Sequence, residues 1–296
     1  MSSSLWGHAR GAVDLGSPRV MAIVNLTPDS FFDGGHLVPE GRDSANVAMA
    51  LRRCVQLREE GAAILDLGGE STRPGALVVP AEAELQRVVP LIRRLIEVGV
   101  DVPISVDTRR ASVARAAVEA GASIINDVSG LADPAMAEVA AASGAGLVIG
   151  HMRGEPRTMQ ESIAFVDLLG EVGDELAGSV ERAVAAGVER GRIVVDPCVG
   201  FGKDAEQSAA LVAAGADLEA ATGCPVLVGA SRKSFLGVIT GRAVGERQAA
   251  SVVAALVAIE HGARIVRVHD VAATVEALRV TGAIRRAHAA AKGAGR

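Results

Sequence analysis

Eight short apolar runs divide the chain: RVMAIVN (19–25), AAILDLG (62–68), VPISVDT (102–108), SIINDVS (123–129), GLVIGHM (146–152), RIVVDP (192–197), PVLVGAS (225–231) and RIVRVHD (264–270). Each is nearly continuous in apolar residues, as strands of a parallel sheet covered on both faces are. Between them lie Ala-rich stretches of helical periodicity that often finish at glycine, as in REEGAA, VEAGAS and IEHGAR. Glycine there ends a helix before the next strand begins. Eight such units in one chain predict an α/β fold, a single (β/α)8 TIM barrel over residues 19–285. A doubly wound sheet is the alternative, but it usually has fewer strands in a chain this long. Residues 1–18 read as an N-terminal extension and residues 286–296 as a frayed tail. No Pro/Ser-rich linker or shift in composition marks a second domain.

The polar positions cluster where these runs end: Asn25, Asp66, Asp107, Asn126 and Asp127, His151, Asp196, then Ser231-Arg232-Lys233 and Arg267, His269 and Asp270. In a barrel all of these fall on the C-terminal rim, where active sites are assembled. The first run empties into TPDSFFDGG, a polar, turn-rich loop that carries two aromatics.

Composition narrows the function. The 296 residues are 49% hydrophobic but only 2% aromatic, so the core must be aliphatic. A net charge of −5 with arginine spread throughout gives no basic stripe and argues against nucleic acid as a partner. Three scattered cysteines without a C-x-x-C pair fit a reducing compartment. No secretory leader is visible, and no apolar run reaches the roughly 18 residues needed to cross a bilayer. The chain is expected to be soluble and cytoplasmic, with no membrane partner.

Several motifs have competing readings. GFGKDA (200–205) fits a dinucleotide fingerprint by letter, but the next strand offers no acid and Pro197 stands where a phosphate-binding loop needs glycine. A Gly-rich rim loop that brings Phe201 and backbone amides to a ligand is the better reading. His151, His269 and Asp196 raise the question of a metal. The first strand, however, ends in Asn25-Leu26-Thr27 instead of the H-x-H of metal-dependent barrel hydrolases, which argues against tightly held zinc. Asn25 still suits a weakly held Mg²⁺ that keeps its waters and leans on substrate phosphates. Arg232 and Lys233 at the seventh strand end, with Arg267 and His269 at the eighth, point to an anionic substrate. Asp107, Asn126 and Asp196, aimed into one mouth, suit a flat heterocycle rich in N–H donors.

Taken together, NLTPDSFFDGG, GGESTRPG, SVDT, INDVSG, HMRGEPRTMQ, DPCVGFGK, GASRKSFLG and RVHD resemble, in order, the motifs of the dihydropteroate synthase family, over about residues 19–280. The resemblance implies a transferase of folate biosynthesis, and a sulfonamide target. It would join 6-hydroxymethyl-7,8-dihydropterin diphosphate to p-aminobenzoate, releasing pyrophosphate. Carried over by position, Asp107, Asn126, Asp196 and Lys233 would hold the pterin, with Arg267 stacked across it. Thr72, Arg267 and His269 would take the diphosphate, with Mg²⁺ as cofactor at Asn25. Phe31, Thr72, Arg73, Pro74, Phe201, Gly202 and Ser234 would shape the p-aminobenzoate pocket. Asp33, Lys233, Arg267 and His269 would be the catalytic groups, Asp33 stabilising a cationic pterin. The family is commonly a homodimer.

Three positions depart from the family pattern. Phe32 stands where a small Ser is frequent, Cys198 where Gly is common, and Gly150 where Met often packs on the pterin. Gly150 is expected to cost packing area, Cys198 to stiffen its loop and Phe32 to crowd sulfonamides. Two other readings remain open: a corrinoid-system methyltransferase on the same barrel, and a pterin-binding paralogue without catalysis. TPDSFFDGG, STRPG and SRKS count against the first, and retention of Asp196, Lys233 and Arg267 counts against the second.

Overall fold

A computed structural model of the chain describes residues 4–26, 43–70, 78–161 and 163–293. Two strands come before the predicted eight: β1 (Leu5–His8) and β2 (Gly11–Asp14) form an antiparallel hairpin. The eight predicted runs then appear as β3 (Arg19–Asn25), β4 (Ile64–Gly68), β5 (Ile104–Asp107), β6 (Ile124–Asp127), β7 (Gly146–Gly150), β8 (Ile193–Asp196), β9 (Leu227–Val228) and β10 (Ile265–Val268). The helices are α1 (Asp43–Glu59), α2 (Ala81–Glu97), α3 (Ala111–Ala120), α4 (Met136–Ser143), α5 (Leu168–Ala185), α6 (Ala205–Val212), α7 (Gly215–Thr222), α8 (Ser234–Thr240), α9 (Gln248–Glu260) and α10 (Val271–Gly293).

The eight strands pair in parallel in the order β8-β7-β6-β5-β4-β3-β10-β9. A bridge between Val195 and Val226, with Val195 N–H donating to the Pro225 carbonyl at 3.0 Å, closes the ring. The molecule is therefore a (β/α)8 barrel. β9 is shorter than its apolar run because Pro225 lacks a ladder donor and Gly229 has no side chain to pack. At the other end, the tail expected to fray from residue 286 continues as helix to Gly293, since Ala, Arg and Lys are strong helix formers.

Alternation along the strands builds two separate cores. Outward residues such as Ala22, Leu65, Val106, Ile125, Leu147 and Val195 pack under the helices. Inward residues Met21, Ile64, Ile124, Val148, Val194, Leu227 and Ile265 fill the bottom of the barrel, and Trp6, Val13 and Leu15 of the hairpin segment cover them from below. Trp6 is 1% exposed and its indole N–H donates to the Arg192 carbonyl at 2.9 Å, so the hairpin is a plug.

Two residues further along, on the same inward face, β3 stays apolar at Ile23 and changes at Asn25, while in every other strand the lining changes character. It becomes Asp66, Asn126, Gly150, Asp196, Gly229 and Arg267, with Ser105 at the corresponding place in β5. Glycine at 229 leaves open space, Gly150 yields its place to Cys198 Sγ and the Val128 backbone, and the charged groups stand on strand ends above an apolar floor. This polarity step is what the fold provides for a site.

Candidate active site

Arg267 is the hub of the mouth. Its Nε donates to Asp66 Oδ2 at 2.6 Å and its Nη2 to Asp107 Oδ2 at 2.6 Å. Burial works against the guanidinium charge, but the two carboxylates outweigh it and hold the proton more firmly than usual. Asp66 is fully buried and has two further donors: Ser105 Oγ–H at 2.6 Å to Oδ1, and Asn126 Nδ2–H at 3.1 Å to Oδ2. That contact fixes which way the Asn126 carboxamide points. It leaves Asn126 Oδ1 buried with no hydrogen-bond partner among the described residues, and Asp107 Oδ1 is in the same condition.

Orphaned acceptors of this kind cost roughly 1–3 kcal/mol each unless something fills them. A ligand that presents N–H groups to this face would do so. Burial pushes the Asp107 carboxyl up to about 7, against the pull of Arg267 and with the help of Asp66. Asp196 is likewise raised by burial, against Lys233. One of its oxygens accepts the Cys198 N–H at 2.7 Å, and the other lies 3.9 Å from where a Cβ at Gly229 would stand, beside Arg267. Asn25 closes the circle, because a Cβ at Gly68 would meet Asn25 Oδ1 at 3.7 Å and Asp107 Oδ2 at 3.8 Å.

The second wall is the loop after β8. Lys233 Nζ donates to the Val199 carbonyl and lies 4.3 Å from the centre of the Phe201 ring, a cation–π contact. Burial lowers the Lys233 pKa, partly offset by Asp196. Phe201 packs with Val128, Met159 and Cys198. Gly202 serves the turn: its φ is +61°, and a Cβ there would come 3.1 Å from the Arg153 carbonyl. Ser234 is exposed and lines a cleft of about 300 Å³ with Gln160, Lys203 and Phe235. At the β10 end, Ser231 Oγ accepts the His269 backbone N–H at 3.2 Å and meets His269 Nδ1 at 3.0 Å. The two contacts hold the His269 ring against the β9 end.

Among the described residues, then, Asn25, Asp107, Asn126, Asp196, Lys233, Arg267 and Phe201 converge, with His269 and Ser234 at the margin. Phe31, Phe32, Asp33, Thr72, Arg73 and Pro74 lie outside the described residues. Sequence reading placed Asp66 on the rim without giving it a role, and passed over Ser105 and Lys203. The signal for Asp66 was available: an acid in the middle of an apolar strand, one alternation before Gly68, must be buried and must have partners. No group of three or more His, Cys, Asp or Glu that could hold a metal ion occurs among the described residues.

Comparison with known proteins gives this geometry a family. Residues 21–269 match the profile of the family described as pterin binding enzyme. The chain is 44% identical over 285 residues to a dihydropteroate synthase of Neisseria meningitidis serogroup B, covering 95% of this chain and 97% of the relative. Among solved structures, the Xanthomonas albilineans dihydropteroate synthase with 4-aminobenzoic acid aligns with a TM-score of 0.84 and 44% identity, covering 93% of this chain and 95% of that one. The Burkholderia cenocepacia dihydropteroate synthase complexed with 7,8-dihydropteroate aligns with a TM-score of 0.83 and 43% identity, covering 96% and 97%. The chain belongs to the dihydropteroate synthase family of pterin-binding enzymes.

Proposed function

We propose that this barrel mouth condenses 6-hydroxymethyl-7,8-dihydropterin diphosphate with p-aminobenzoate, giving 7,8-dihydropteroate and pyrophosphate; the protein is a transferase of folate biosynthesis. The observation that carries the reading is a pair of buried acceptors, Asp107 Oδ1 and Asn126 Oδ1, without a partner among the described residues and beside Asp196 and Arg267. They match the N–H-rich edge of a pterin, and Arg267 offers a planar cation over its face.

The chemistry asks for charge stabilisation more than for a base, since the aniline nitrogen is already neutral at pH 7. As the C–O bond to the diphosphate breaks, positive charge grows on the pterin methylene carbon. Asp66, Asp107 and Asp196 line the mouth around it, two of them bonded to Arg267, so carboxyl oxygens face that charge as it forms. Arg267 and His269 would hold the departing pyrophosphate. Lys233 and Phe201 would fix the p-aminobenzoate ring for attack by its nitrogen. In this reading Asp33, Phe31, Thr72, Arg73 and Pro74 complete the site.

Asn25 suits Mg²⁺ by the chemistry of its donor, a neutral hard oxygen next to Asp107. Asn25 would hold the ion together with substrate phosphate oxygens, and the ion would supply neutralisation of the leaving pyrophosphate. The proposed assembly is a homodimer: α8, α9 and α10 expose Val238, Ile239, Val253, Val280 and Ile284. No described helix is long and apolar enough to cross a membrane, and all three cysteines are free and buried, which supports a cytoplasmic setting.

The test is one preparation assayed for dihydropteroate by mass spectrometry, with and without a chelator, and sized by sedimentation. Product that requires Mg²⁺ and collapses in Lys233→Ala and Arg267→Ala, from a species of twice the chain mass, is expected. Pterin binding without product would leave a non-catalytic pterin-binding protein, and a monomer at assay concentration would remove the dimer.

A further inference from the structure

The loop Cys198–Lys203 is held from two sides, and only one side belongs to the site described above. Its backbone is tight, with positive φ at Cys198 (47°), Gly200 (85°) and Gly202 (61°). Such a turn exposes a run of carbonyls that must all find donors. Val199 O accepts from Lys233, on the substrate side. Gly200 O accepts from Gln160 Nε2 at 2.7 Å. On the inner side a second lysine, Lys203, folds back beneath the loop. Its Nζ contacts Phe201 O at 2.8 Å and Cys198 O at 3.5 Å, and reaches across to His151 O at 3.1 Å and His151 Nδ1 at 2.9 Å.

Lys203 is 3% exposed, and these hydrogen-bond partners are all neutral. A buried ammonium costs free energy unless its donors are used. An uncharged imidazole provides the fourth contact. His151 Nε2 lies 2.9 Å from Glu175 Oε2, so its N–H donates to the carboxylate and Nδ1 accepts from Lys203. Burial and the neighbouring Lys203 lower the His151 pKa to about 4, which keeps it neutral. Burial lowers Lys203 to about 8, so it remains largely charged at pH 7. Arg153, bonded to Glu175 through Nε at 3.0 Å, anchors the far end.

We propose that Lys203, oriented through His151 and Glu175, is a positioning residue for p-aminobenzoate: it pins the loop whose Val199 carbonyl and Phe201 ring set the place of the Lys233 ammonium. This rests on the condensation reading above. It assigns a task to a lysine whose ammonium is spent on the loop and His151, and it separates the two substrates, because none of Asp107, Asn126, Asp196 and Arg267 hydrogen-bonds Lys203.

The experiment is steady-state kinetics of the full chain with each substrate varied in turn. Lys203→Met, close in shape but without donors, should raise the p-aminobenzoate KM about tenfold or more by leaving buried carbonyls unpaired. The pterin diphosphate KM should stay within about twofold. Lys203→Gln, which keeps an amide donor, should recover part of the loss. Unchanged constants, a parallel rise in both KM values, or identical behaviour of Met and Gln would overturn the proposal. If Lys203→Met does not accumulate as folded protein, Lys203→Gln decides alone: a selective p-aminobenzoate effect supports the assignment, and a parallel or absent one overturns it. A wild-type chain that makes no product would overturn the condensation reading and this inference together.

Discussion

Asp66 shows how much of this site depends on a residue that need never touch a ligand. Three donors converge on its two oxygens, from Ser105, Asn126 and Arg267, and the last two present themselves to the mouth. Replacing the carboxylate with a carboxamide puts an N–H₂ group against at least one of those donors and strips Arg267 of half its counter-charge. Breaking a buried ion pair on one side costs about 3–5 kcal/mol, because the remaining charge is left uncompensated. Asp66→Asn should therefore lower stability to urea by about 3 kcal/mol and reduce kcat/KM for the pterin diphosphate roughly 100-fold. A folded Asp66→Asn enzyme with wild-type kcat/KM would show that Arg267 and Asn126 orient themselves without it.

At the level of strands and loops, the two departures from the family pattern that fall on described residues are neighbours. A Cβ at Gly150 would come 2.7 Å from Cys198 Sγ and 2.6 Å from Val128 Cα. The thiol thus occupies space that a side chain at 150 would claim, which makes the loss of packing expected at Gly150 partly a transfer to the facing loop. Gly150→Ala should destabilise the protein by about 2 kcal/mol, as overpacking does. Adding Cys198→Gly should recover about half of that cost, the Val128 backbone accounting for the rest. Strict additivity in a double-mutant cycle measured by urea unfolding would show the two positions to be independent. Linkage of this kind could not be read from the sequence, because residues 150 and 198 meet only across β7 and β8. The strands themselves were legible, since each is a β-branched run bounded by turns. Their inward parity was hidden by the same continuity, so Asp66 read as one more strand end. Lys203 was hidden for another reason: in GFGK a lysine looks like a surface residue until the turn folds it inward.

The whole molecule separates its two ends. The C-terminal mouth carries buried charges and orphaned acceptors, all of which favour a bound ligand over the empty site, while the N-terminal end is sealed by aliphatic side chains under Trp6. Barrels commonly divide labour this way, with function at one rim and stability at the other. The hairpin behind this seal was the part of the fold least legible in the sequence: LWGH and GAVD are four-residue strands whose hydrophobic face, Trp6 and Val13, amounts to two residues. Its weight comes from what it covers. Trp6→Ala would open a cavity against Met21, Ile64, Ile124 and their ring of neighbours and leave the Arg192 carbonyl without its indole donor. Truncating a buried aromatic of this size costs about 3–5 kcal/mol. For a chain of this length that corresponds to a fall in Tm of roughly 5–10 °C. The mouth stands on separate strand ends above an intact middle layer, so kcat/KM at 25 °C should stay within about twofold of wild type as long as the variant is folded. Thermal unfolding and steady-state kinetics on the same sample decide the matter. A large loss of activity in a still-folded Trp6→Ala protein would mean that strain at the plug is transmitted up the strands to Asp66 and Arg267, and that the two ends are not separate.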